Sequence, residues 1–60
     1  MSKDEIFVEF VMQGNVVKAT AIHAASGAEA CIVGPANAPR AALADAAARK
    51  LRYVMEKKKP

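Results

Sequence analysis

His23 and Cys31 are the most reactive side chains in this 60-residue sequence. A histidine can serve as a general base or metal ligand, and a cysteine thiolate as a nucleophile. With one histidine and one cysteine, the chain has no internal disulfide and too few soft ligands for a typical zinc site. Gly14, Gly27 and Gly34 are isolated, so no glycine-rich phosphate loop occurs. We predict no enzymatic activity, no cofactor and no metal.

Strands are expected in the first half of the chain. Residues 5–13 alternate in polarity, and residues 16–23 are rich in β-branched side chains, as strands are. Gly14-Asn15 between them suits a two-residue hairpin turn. A loop that ends at Gly27, in the left-handed conformation, leads to a third strand at about 28–33.

A helix is expected at about 38–57, after Gly34-Pro35 has ended the sheet. Asn37 is the predicted cap, and Pro39 fits the first turn, where no N–H is required. The sequence thus predicts one α+β domain over residues 1–60, a three-stranded antiparallel β-meander packed on one face by a single C-terminal α-helix (β-β-β-α). The apolar stripe of that helix is predicted to be Leu43, Ala47, Leu51 and Val54.

The hairpin turn fixes how the first two strands pair. It opposes Phe10 to Ala19 on the face that the helix should cover, and Phe7 to Ile22 on the opposite, open face. A four-residue loop before the third strand places Cys31 on the open face. A three-residue loop with a bulge would place Cys31 on the helix side, and the sequence leaves both possibilities open.

Four short segments of the sequence form a recognisable set: Gly14-Asn15, Ser26-Gly27, residues 33–38 and residues 50–54. In these segments the chain resembles a family of short, uncharacterised bacterial proteins, and the resemblance extends over almost the whole chain. These segments are turns and a helix end, so they carry no chemistry. The resemblance implies a small stand-alone β-β-β-α protein of a family without an assigned activity.

The open face of the predicted sheet is the stronger functional feature. A cluster of apolar side chains on an uncovered sheet face is typical of an interaction site. A domain of this size also has a small core, and a second copy of itself can add the missing burial. We therefore predict a small interaction module, a homodimer or the binder of another protein, through the following open-face residues: Phe7, Val11, Val16, Ile22 and Val33.

The charge distribution suggests an alternative. Residues 1–34 carry two lysines and four acids, a net charge of −2, whereas residues 35–60 carry seven basic and two acidic residues, a net charge of +5. Clustered lysine and arginine can contact phosphates. The alternative prediction is a small nucleic-acid-binding protein that uses Arg49, Lys50, Arg52, Lys57, Lys58 and Lys59.

The expected location is the cytoplasm. No apolar run approaches the roughly 20 residues of a membrane span. The sequence starts with Asp4 and Glu5 close to its first residue, unlike a secretory signal, and the single thiol suits a reducing compartment. We expect no association with membranes.

Overall fold

The computed structural model describes residues 5–57 and has the predicted architecture. Its elements are β1 (Ile6–Gln13), β2 (Val16–His23), β3 (Glu29–Pro35) and α1 (Arg40–Lys57). The strands form one antiparallel sheet in the order β1-β2-β3. α1 packs on one face of this sheet, which makes the α+β meander with a single covering helix.

The predicted hairpin register is confirmed. Phe10 pairs with Ala19 and Phe7 pairs with Ile22. Gly14 has a φ of 60°, a value that glycine adopts at no steric cost in the first turn position.

The loop before β3 settles the face of Cys31. The His23 backbone N–H donates to the Ala28 carbonyl oxygen at 2.8 Å, which closes a four-residue loop over residues 24–27. Gly27 has the predicted positive φ, at 77°. Cys31 then pairs with Thr20 and lies on the open face.

Two boundaries differ from the sequence-based expectation. Gly34 and Pro35 do not end the sheet, because they pair with β2 as the last residues of β3. A proline is tolerated there because β3 is an edge strand. The helix begins later than predicted: the Pro39 carbonyl oxygen accepts from the Ala42 and Leu43 N–H groups at 3.1 and 3.2 Å, so Pro39 holds the cap position expected for Asn37.

The core lies between α1 and β2–β3 and is built mostly from small residues. The predicted helix stripe is confirmed, with Val54 half-buried at its end. Among residues 5–57, only Leu51 and Val17 are large and fully buried. The buried apolar residues are Val17, Ala19, Ala21, Ala30, Leu43, Ala47 and Leu51.

The helix does not cover the whole face that the sequence assigned to it. Phe10 and Met12 lie on the helix side of β1, yet they stay 39% and 59% exposed. Arg40 of α1 contacts both of them: its guanidinium carbon lies 5.8 Å from the Phe10 ring centroid, and its Nη2 lies 3.6 Å from the Met12 sulfur. The expectation that Phe10 is covered by the helix is therefore only partly met, because α1 packs mainly on β2 and β3.

Gly34 lies against Leu43 of α1, with no room for a larger side chain. A Cβ atom built at Gly34 would lie 2.5 Å from Leu43 Cδ2, and Leu43 is buried. We expect Gly34→Ala to lower the free energy of unfolding by about 1–3 kcal/mol, as overpacking does. Chemical denaturation measures this change. The same substitution in a Leu43→Ala background should cost much less, and an equal cost in both backgrounds would contradict the contact.

Candidate functional site

The open face of the sheet presents the apolar cluster predicted from the sequence. Phe7, Val11, Val16 and Val33 are 52%, 48%, 37% and 64% exposed, and Ile22 is half-buried. The pairing places all five side chains on the side of the sheet opposite α1. The residues thus share one surface, as the register requires.

This surface consists of two apolar groups rather than one continuous patch. Phe7 and Ile22 form the first group, and the other apolar residues lie toward the hairpin turn. The row Glu9–Thr20–Cys31 crosses the sheet between the groups. Beside this row, a shallow depression of about 230 Å³ is lined by Lys18, Thr20, Glu29, Ala30 and Cys31. A partner that covers this face must therefore accommodate both apolar and charged contacts.

His23 is part of the loop between β2 and β3. Its side chain is buried, and Nδ1 lies 2.8 Å from the Ser26 hydroxyl oxygen. The Ser26 hydroxyl also accepts from the Ala28 N–H at 3.2 Å, and Nδ1 accepts from the Ser26 N–H at 3.3 Å. These contacts give His23 a structural role in holding the loop.

Cys31 has a free, half-buried thiol among the polar residues of the open face. Within residues 5–57, no three histidine, cysteine or acidic side chains come together in a group that could hold a metal ion. Over the same segment, no helix combines the length and the apolar character that a membrane span requires.

Most of the basic residues described on α1 have partners within the chain. Arg49 Nε pairs with Asp45 at 3.0 Å, as the i,i+4 spacing predicts, and both side chains are largely exposed. Lys50 Nζ donates to the Cys31 carbonyl oxygen at 2.9 Å. Lys57 Nζ lies 5.6 Å from the ring centroid of exposed Tyr53.

The remaining predicted contacts to nucleic acid are Arg52, which is exposed on α1, and Lys58 and Lys59, which lie outside the described residues. Sequence reasoning missed the bond between Lys50 and Cys31 and the exposure of Phe10 and Met12. Nothing in the hydrophobic pattern alone gives the lateral position of a helix on a sheet.

The role of His23 is testable through its neighbour. Ser26→Ala removes the hydroxyl that links Nδ1 to the Ala28 N–H, so we expect a loss of about 0.5–1.5 kcal/mol of stability. Ser26→Thr, which keeps a hydroxyl, should lose less. Urea denaturation compares the three proteins, and an unchanged midpoint for Ser26→Ala would show that the contact is not stabilising.

Comparison with known proteins gives a family without a known activity. The family described as "Domain of unknown function" (DUF6898) matches residues 3–58. No curated protein and no solved structure matches the chain. The bacterial source suggested by the resemblance stays a prediction. The match extends over nearly the whole sequence, and the chain belongs to this family of domains of unknown function (DUF6898).

Proposed function

We propose that this domain is a non-enzymatic interaction module that self-associates through the open face of its sheet. The observation that carries the proposal is the exposure of Phe7, Val11, Val16 and Val33 on the side that α1 leaves bare. Isolated exposed apolar residues are common, but two groups of them on the same face of a sheet are more typical of an interface.

The composition of the core supports self-association. In the described part of the chain, four of the seven buried apolar residues are alanines, which remove little apolar surface from water. Full burial of a Phe or Ile side chain contributes roughly 1.5–3 kcal/mol. A symmetric dimer buries each open-face residue twice, a useful gain for a marginal fold even after the loss of association entropy.

The charges on this face are compatible with a second copy. Glu9 and Glu29 lie on the same surface as Lys18. A surface that carries both signs can oppose acid to base when it meets itself, and such contacts favour specificity more than affinity. The proposed function is therefore an assembly role, with the cytoplasm as the proposed location.

Ile22→Lys tests the proposal. Ile22 lies on the central strand beside Phe7, so a lysine there places a charge in an apolar group that a second copy would have to bury. We expect the weight-average mass in sedimentation equilibrium to fall below that of wild type at every concentration where wild type associates. Thermal stability should also become less dependent on protein concentration.

Asp45→Lys is the matched control for Ile22→Lys. Asp45 lies on the exposed side of α1, so a lysine there, which changes the net charge by +2 compared with +1 for Ile22→Lys, should leave association unchanged. A wild-type protein that sediments as a monomer at every accessible concentration would rule out self-association.

Binding of nucleic acid through the basic end of α1 stays an alternative prediction from the sequence. The measurement is a titration with mixed duplex and single-stranded DNA and RNA at two salt concentrations. Phosphate contacts make affinity fall steeply as salt rises, and Lys57→Gln together with Lys58→Gln and Lys59→Gln should reduce that slope. Undetectable binding at low salt would remove this alternative.

A further inference from the structure

The two edges of the sheet differ in how their backbone groups are used. In an antiparallel pair, residues alternate between those bonded to the neighbouring strand and those whose N–H and C=O groups point away from it. The Ala24 N–H donates to Glu5 and the Ala36 N–H donates to Asn15, which fixes this alternation for β1 and β3. The groups that face outward belong to Ile6, Val8, Phe10 and Met12 on β1, and to Glu29, Cys31, Val33 and Pro35 on β3.

The outer edge of β3 is protected. Lys50 Nζ donates to the outward Cys31 carbonyl oxygen at 2.9 Å. Pro35, at the end of the same edge, has no N–H to offer. A lysine over the edge and a proline in it are two ways in which proteins prevent a sheet from extending.

The outer edge of β1 lacks both devices. Its eight residues contain no proline or glycine, and Glu9 is its only charged side chain. No backbone hydrogen bond within residues 5–57 engages the outward N–H and C=O groups of Val8 or Phe10. Apolar side chains are exposed on both sides of the strand: Phe7 and Val11 on the open face, Phe10 and Met12 on the helix face.

We propose that β1 pairs antiparallel with β1 of a second copy of this chain, so that two three-stranded sheets join into one six-stranded sheet. The partner is a second copy of the chain. Two β1 strands related by a two-fold axis run antiparallel, and the outward N–H and C=O groups of each strand then match those of the other. The pairing also buries apolar side chains on both faces of β1, including Phe10 and Met12, which α1 leaves exposed.

This edge contact differs from the proposed face contact, although both would involve Phe7 and Val11. The edge contact depends on the outward backbone groups of β1, whereas the face contact depends on open-face side chains such as Ile22. A joined sheet would bring the open faces of two copies side by side, so the two contacts are compatible. Each can be removed by a substitution that leaves the other in place.

Amide hydrogen exchange tests the edge contact directly. In a monomer, the N–H groups of Val8 and Phe10 point to solvent, so they should exchange rapidly. At a concentration where nine-tenths of the protein is paired, their exchange should slow by about tenfold. The N–H groups of Phe7 and Glu9 are the internal control, because the alternation already directs them toward β2.

Val8→Pro is the matching variant. It removes an outward N–H while sparing the β1–β2 ladder, and proline is tolerated at such a position of an edge strand. We expect it to abolish the concentration-dependent protection at Phe10. Val8→Ala, which shortens the side chain but keeps the N–H, should retain that protection.

The outcomes separate the two proposals. Protection at Phe10 that persists in Ile22→Lys and is lost in Val8→Pro supports edge pairing whether or not the face contact exists. Exchange at Val8 and Phe10 that stays rapid in wild type at all concentrations overturns edge pairing, even if the protein associates by its open face. Equal protection in Val8→Pro and Val8→Ala overturns it as well.

Discussion

The close packing of α1 on the centre of the sheet is the contact on which the rest of this structure depends. Ala19, Ala21 and Ala30 form the floor beneath the helix, and Ala47 meets them from above. Gly34 of β3 continues this surface of small residues and contacts the Leu43 side chain. Small side chains allow a short distance between the layers and tight packing, but they bury little area for each residue.

The narrow contact leaves one strand only partly covered. Ile6 and Val8 of β1 pack against the core, but a helix that lies over β2 and β3 does not reach the rest of the strand. The exposed large side chains of β1 are Phe10 and Met12 on the helix face and Phe7 and Val11 on the open face. The guanidinium of Arg40 lies over the exposed ring of Phe10, and it also donates to the carbonyl oxygens of Ala36 and Ala38. The position of α1 thus accounts both for the buried core over β2 and β3 and for the exposed apolar side chains of β1.

The sequence predicted the strands well because local chemistry defines them. A two-residue turn at Gly14 leaves only one register that matches apolar side chains across β1 and β2, and Leu43 and Leu51 mark the buried stripe of α1. The position of α1 across the sheet was not predictable, since every lateral placement satisfies the same stripe. The hydrogen bond from Lys50 to the Cys31 carbonyl oxygen depends on that position, so the sequence did not predict it either. The sequence pattern also predicted which residues lie on the open face. It does not identify their binding partner, because that depends on the surface of a second molecule.

The order of the elements along the chain has a consequence for synthesis. The β1–β2 hairpin and β3 are complete by Pro35, but Leu51, the largest fully buried side chain, follows sixteen positions later. During translation the sheet therefore precedes its own cover, with the floor of alanines and the apolar residues of β1 exposed to other nascent chains. Each element contacts the one before it in the chain, and α1 also packs on β2. The order of synthesis therefore makes the closure of α1 the step that ends the interval in which an uncovered sheet can pair with the wrong strand.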